Sequence, residues 1–321
     1  MKNKPILLVA GEPRSIFFEI FFKAIKKNNF KSPLILICCK NLLQQQMKKH
    51  NFKKNLKIIE INEIENLNLS NKKINLIDIN LPKSDNKLYQ IKLSNKYISD
   101  SFNVAFKLIK NGFTYKFING PINKKTFLSK KFLGITEFIS KKFYKNKVGM
   151  LIYNKKLSVS PLTTHIPLKL VSKKINKKLI NEKINILNSF FIKILKKTPK
   201  IAVTGMNPHC ETILKYNEDE KIISPVIKTH KKNGINIHGP YPADTIFLKK
   251  NREKFNVILG IYHDQVLAPL KTLYEYDAIN ITMGLPFLRV TPDHGPNQKM
   301  VGKNNSSPQS LIKAIKFLDN K

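Results

Sequence analysis

The sequence predicts an α/β fold built on a largely parallel sheet, and three observations carry that expectation. Short apolar runs alternate with segments whose apolar residues recur at helical spacing, starting with strand, turn and helix at the amino terminus. No internal repeat or long linker interrupts the alternation. A chain of 321 residues exceeds one small core and suits two lobes, interleaved in sequence.

Residues 4–10 read as a buried strand that stops at Gly11-Glu12-Pro13, and residues 15–28 carry a helical apolar period. Residues 34–39 form a second strand, 42–50 a helix, 56–61 a third strand and 74–79 a fourth. Polarity rises over residues 66–96, which read as variable surface. Residues 99–110 are expected as a helix, and the strand at 115–118 runs into Asn119-Gly120-Pro121-Ile122-Asn123-Lys124. An ordinary turn and an anion-contacting loop at a sheet's carboxyl edge both fit that segment.

Gly134-Ile135-Thr136-Glu137 opens a helix that Thr136 can cap. Residues 148–153 and 157–162 read as a hairpin ending near His165, where Pro167 stops the strand. Helix is expected across 171–197, strand at 200–204 ahead of His209, and helix around 218–231. Residues 238–245, His-Gly-Pro-Tyr-Pro-Ala-Asp-Thr, are expected as a proline-stiffened loop presenting Asp244. The strand at 257–262 is expected to end in His263-Asp264.

The charge is lopsided: 58 Lys+Arg against 21 Asp+Glu give +37, with a pI near 10.0. Such a field would attract nucleic acid, anionic lipid or a phosphorylated substrate. The basic residues are nevertheless scattered, mostly lysine amid abundant Asn and Ile, and no aromatic-interleaved basic motif appears. Compositional bias therefore accounts for the charge, and a basic nucleic-acid-associated role is kept only as a remote alternative. Cys38, Cys39 and Cys210 form no disulfide framework and no metal knuckle, as in a reducing cytoplasm. No apolar stretch is long enough for a membrane helix, and the first ten residues do not make a signal peptide. The expectation is a cytoplasmic protein with no membrane and no specific nucleic-acid partner.

Chemistry concentrates in residues 260–295, where His263, Asp264, Lys271, Asn280, Arg289, Asp293 and His294 sit between apolar segments. His165, His209 and His263, three of seven histidines, each follow an apolar strand. Parallel strands bring their carboxyl ends together, so these imidazoles read as a divalent-metal set with positions open for substrate. For any one of them alone, a hydrogen-bonded structural histidine is the plainer reading. Asp244 and Asp264 either orient the imidazoles or accept a proton, with ion pairing to surplus lysine as their plain alternative. Lys271 and Arg289 are candidate anion clamps. No G-x-G-x-x-G occurs, so any dinucleotide is held in another way.

Five ordered motifs, T-T-H-I-P-L, G-M-N-P-H, G-P-Y-P-A-D-T, Y-H-D-Q and N-I-T-M-G-L-P-F-L-R, together resemble the 4-hydroxythreonine-4-phosphate dehydrogenases of pyridoxal phosphate biosynthesis. The resemblance implies a two-lobed isocitrate/isopropylmalate-dehydrogenase-like fold of α/β/α sandwich lobes with a central cleft. One lobe spans 1–126 plus 282–321 on the cofactor side; the other, 127–281, holds the metal ligands and the dimer contact. It implies a homodimer with shared active sites and a small phosphorylated amino-acid substrate.

By the same resemblance, His165, His209 and His263 bind zinc, magnesium or cobalt. Thr136, Lys271, Asn280 and Arg289 hold substrate, and the segment with His294, Gly295 and Gly302 cradles NAD or NADP. Asp244, Asp264 and Lys271 are the catalytic candidates. The implied reaction oxidises a secondary alcohol by hydride transfer to the nicotinamide, and the resulting β-keto acid decarboxylates. Three segments depart from the family pattern. Ile135 replaces the histidine of G-H-T-E, Arg14, Ser15, Phe17 and Phe18 replace a glycine-rich continuation, and Cys210-Glu211 follows His209 in a shortened loop. A sibling dehydrogenase acting on another phosphorylated or carboxylated hydroxy acid is the alternative that Ile135 raises.

Overall fold

The computed structural model describes residues 3–128, 132, 134–144, 147–212, 216–275, 277–292 and 295–321. The chain divides into two compact units, Met1–Ile135 with Pro286–Lys321, and Thr136–Leu285. The unit boundaries thus fall after Ile135 and before Pro286, where the sequence reading set 126 and 282.

The first unit holds strands β1 (Ile6–Val9), β2 (Leu34–Cys38), β3 (Leu56–Ile58), β4 (Ile74–Asp78), β5 (Lys116–Asn119) and β12 (Leu288–Pro292). Their order is β3-β4-β2-β1-β5-β12, and every neighbouring pair is parallel. Leu8 lies between Leu36 and Ile118 in register. A parallel sheet is covered on both faces, which is why β1 and β2 read as unbroken apolar runs and are buried along their whole length. Helix α1 (Phe17–Lys27) packs against α2 (Lys40–Lys49) and α12 (Gln309–Asp319), and α12 also packs on β12, β1 and β5. The chain's last segment therefore completes the first unit.

Helix α3 (Lys87–Lys110) packs on β1 and β2 and starts well before the expected 99. Its first turns are polar, with Leu88 and Tyr89 exposed, so no apolar period announces them. Asn86 caps that end by accepting from Tyr89 N at 3.0 Å. The short helix α4 (Lys124–Phe127) follows the Asn-Gly-Pro segment and packs on α3. Gly11, with φ at +80°, and Gly120 let the exits of β1 and β5 pass close together: a Cβ on Gly120 would overlap Ala10 O.

The second unit holds β6 (Gly149–Tyr153), β7 (Ser158–Pro161), β8 (Ile201–Thr204), β9 (Ile237–Tyr241), β10 (Val257–Gly260) and β11 (Ile279–Met283), ordered β11-β6-β7-β10-β8-β9. The pairs β11/β6 and β6/β7 are antiparallel, while β7, β10, β8 and β9 run parallel. The predicted 148–162 hairpin is present. Ile152, Val159, Ala202, Ile258, Val266 and Leu270 form part of its core. Its helices include α5 (Ile135–Lys142), α6 (Val171–Lys174), α7 (Lys177–Phe190), α8 (Ser224–Lys232), α9 (Ala243–Ile246), α10 (Lys249–Arg252) and α11 (His263–Tyr274).

Three expectations are corrected here. The helix expected over 171–197 breaks between α6 and α7, because Asn176 turns its side chain to cap α7 through Leu179 N at 2.9 Å. The expected loop at 238–245 is the strand β9 followed by α9. Pro240 is tolerated in β9 because that strand lies at the sheet edge, where a missing N–H costs no ladder bond. The strand expected to reach residue 262 ends at Gly260, and His263 opens α11 instead. Among the described residues, no helix is long and apolar enough to cross a membrane.

Candidate active site at three strand ends

Strand β10 pairs parallel with β7 on one side and β8 on the other, with Gly260 opposite Pro161 and Leu259 opposite Val203. Their carboxyl ends consequently lie side by side. His165 follows β7, His209 follows β8, and His263 follows β10 as the first residue of α11.

The exits are fastened beyond the ladder. Leu162 N donates to Gly260 O at 2.7 Å, and Thr163 N and Oγ1 both donate to Ile261 O, at 3.2 and 2.8 Å. These bonds hold the segment leading to His165 against the one leading to His263. The two imidazole centroids stand 5.9 Å apart. His263 Nδ1 lies 2.6 Å from Asp264 Oδ1, which leaves Nε2 as the ring nitrogen available to a ligand. The Asp264 side chain is 83% exposed, so one of its oxygens serves the imidazole from solvent.

The third histidine sits in a tight turn. His209 and Cys210 both adopt positive φ, +56° and +64°, within Pro208–Cys210. That turn is pinned by Asp219, a fully buried carboxylate that accepts Met206 N at 2.6 Å, Asn207 N at 2.9 Å and Asn207 Nδ2 at 2.9 Å. Gly205 is required there, since a Cβ would come 2.6 Å from Cys210 Sγ and 2.9 Å from Asp219 Oδ1. Burial, with the Asp219 charge second and Asp244 contributing, pushes the Cys210 thiol up to about 11. It therefore stays protonated at neutral pH and is no thiolate. Asp244 stands exposed in α9, near enough for its charge to be felt at Cys210.

Among the described residues no three His, Cys, Asp or Glu side chains gather as a ready donor set. The chain thus brings two of the predicted imidazoles into contact and carries the third on the adjoining strand exit. The donor chemistry fits a divalent ion: two imidazoles are paired, and one has its Nδ1 engaged by a carboxylate.

The other predicted residues are more dispersed. Lys271 is exposed on α11, two turns beyond His263, Asn280 is half-buried on β11 opposite Ile152, and Thr136 is half-buried in the first turn of α5. Arg289 lies on β12 of the first unit, 2% exposed, with Nε donating to Asn119 Oδ1 at 2.9 Å. His294, like Asp293, lies outside the described residues. Gly295 and Gly302 are exposed in the segment after β12, where Pro296 O accepts from Ile16 N and docks the segment on the start of α1. Gly302, at φ +87°, leaves room for the Lys49 ammonium, which would stand 2.9 Å from a Cβ there. A cation beside a bare, positive-φ backbone suits the anionic part of a dinucleotide.

Sequence reasoning passed over Asp219, Thr163 and Gln265. Gln265 stood within Y-H-D-Q and Asp219 among four polar residues, Asn217 to Glu220, with nothing in the residue types to single out a buried hydrogen-bonding role.

Comparison with known proteins identifies the family. The family description "Pyridoxal phosphate biosynthetic protein PdxA" matches residues 29–318. A curated 4-hydroxythreonine-4-phosphate dehydrogenase from Sulfurihydrogenibium sp. is 34% identical over 97% of this chain and 96% of its own length. A D-threonate 4-phosphate dehydrogenase from Salmonella typhimurium is 27% identical over 99% of this chain and 98% of its own. The crystal structure of a 4-hydroxythreonine-4-phosphate dehydrogenase from Klebsiella pneumoniae superposes with a TM-score of 0.81 at 27% identity, covering 98% of both chains. The α/β fold, the histidine-bearing strand ends and the end-to-end similarity place this chain in the PdxA family.

Proposed function

We propose that the protein is a divalent-metal- and NAD(P)-dependent dehydrogenase that oxidises 4-phosphohydroxy-L-threonine to 2-amino-3-oxo-4-phosphooxybutanoate. That β-keto acid then decarboxylates to 3-amino-2-oxopropyl phosphate in pyridoxal 5'-phosphate biosynthesis. The observation that carries the reading is the placement of His165, His209 and His263 at the exits of three adjoining parallel strands in a PdxA-family chain.

His165, His209 and His263 would hold the ion, with Asp264 orienting the His263 ring. A divalent ion held there would supply Lewis-acid stabilisation of charge developing on the substrate oxygen, and a bound nicotinamide would supply hydride-accepting chemistry. Asp244, Asp264 or Lys271 takes the alcohol proton, and Thr136, Lys271, Asn280 and Arg289 grip the substrate's polar groups. Gly295, His294 and Gly302 cradle the nicotinamide cofactor. Two copies of the chain share each site.

A second reading follows from the Salmonella relative and from Ile135: the substrate is D-threonate 4-phosphate, with a hydroxyl in place of the amino group at C2. Comparing kcat/KM on the two phosphates separates them. A preference for 4-phosphohydroxy-L-threonine supports the first reading, and a reversed preference establishes the second. His209→Ala should abolish metal-dependent NAD reduction on either; unchanged turnover would remove the site assignment.

A further inference from the structure

Gln265 lies in the first turn of α11, two residues after His263, and is 9% exposed. Its Oε1 accepts from Ile261 N at 2.7 Å and from Thr204 Oγ1 at 2.7 Å, and its Nε2 donates to Gly205 O at 2.7 Å. Thr204 is the last residue of β8 and Gly205 begins the turn to His209, while Ile261 follows β10 on the way to His263. The paired register of β8 and β10 stops at Val203 and Leu259. One carboxamide takes over where the ladder ends and fastens both exits to the helix that carries His263.

The orientation of that amide is determined by its partners. Two donors meet the oxygen and a carbonyl meets the nitrogen, so the flipped rotamer would oppose N–H to N–H and oxygen to oxygen. Thr163 extends the same fastening to β7 through Ile261 O. The bonds of Gln265 and Thr204 join the strand exits on which two of the histidines sit.

We propose that Gln265 is a positioning residue for the metal site, its carboxamide setting the separation of the strand exits that carry His209 and His263. The proposal rests on the metal-site reading given above. A group that orients the ligands from behind tunes affinity and geometry without touching the ion.

The test is titration of the full-length protein with Co2+, followed by visible absorption, alongside thermal unfolding. Gln265→Glu keeps the shape but sets an acceptor against Gly205 O; Gln265→Met removes every polar atom; Thr204→Val removes one donor to Oε1 with little change of volume. Both Gln265 variants should weaken Co2+ binding by about 10- to 100-fold and alter the ligand-field bands. Thr204→Val should move both in the same direction by less. Ser158→Ala, which removes a buried bond at the amino end of β7, should leave affinity and bands as in wild type. Folded Gln265 variants with wild-type affinity and bands would overturn the proposal. If neither Gln265 variant folds, Thr204→Val decides, and wild-type binding there overturns it equally. Absence of Co2+ uptake by the wild type would remove the metal-site reading itself and this proposal with it.

Discussion

Arg289 Nε stands 2.9 Å from Asn119 Oδ1, joining β12 to the exit of β5, and both side chains are buried. A buried guanidinium keeps its place only through such bonds. Arg289→Lys retains the charge and loses the Nε donor, which should destabilise the protein by about 1–3 kcal/mol. Urea denaturation checks this through a lowered midpoint. If the guanidinium served only to hold substrate, the midpoint would stay in place and KM alone would rise.

Asp219 organises the turn that carries His209 by accepting three N–H donors. Asp219→Asn turns one acceptor into a donor facing N–H, so the turn should loosen before the sheet does. Hydrogen exchange at the Met206 and Asn207 amides should accelerate by at least tenfold, with amides inside β8 little changed. Equal acceleration throughout β8 would show that Asp219 stabilises the unit as a whole.

Burial lowers the pKa of His230 below 6.5, its ring lying 2.8 Å from Asn181 Oδ1. The folded protein therefore takes up this proton at a lower pH than the unfolded chain, which does so near pH 6.5. The unfolded state binds more protons there, so stability is complete above about pH 6.5 and declines as pH falls below it. His50 and His238 are lowered by burial in the same sense and add to the wild-type slope. His230→Gln should flatten that slope below about pH 6.5. An unchanged slope in melting temperature against pH would rule the linkage out.

At Gly120 a side chain has nowhere to go, since its Cβ would overlap Ala10 O and stand 2.7 Å from Phe17 Cδ2. Gly120→Ala should cost about 1–3 kcal/mol or more, because backbone rather than a flexible side chain must yield. Gly112, where nothing lies within 4 Å of a Cβ, makes the contrast. Gly112→Ala should lose stability only through its positive φ, and a larger loss than at Gly120 would contradict the close-packing account.

The parallel core was legible because strands buried on both faces spell continuous apolar runs, as in Leu34–Cys38. The placement of the three histidines at adjoining strand exits was legible for a related reason: topology alone brings the ends of adjacent parallel strands together. The start of α3 was not, since its exposed first turns carry no apolar period, and β9 was hidden by prolines that an edge strand tolerates. The burial of Arg289 and its bond to Asn119 were not legible, because they depend on where β12 inserts beside β5. Gln265 and Asp219 act through backbone atoms far away in sequence, and such partners leave no spacing to read.

The central claim is tested most directly by following reduced nicotinamide formation when the purified protein meets 4-phosphohydroxy-L-threonine, NAD or NADP and a divalent ion. Absorbance should rise with time, stop on chelation of the ion and resume when zinc, magnesium or cobalt is restored. No reduced nicotinamide with this substrate or with D-threonate 4-phosphate, at any ion tested, would contradict the account.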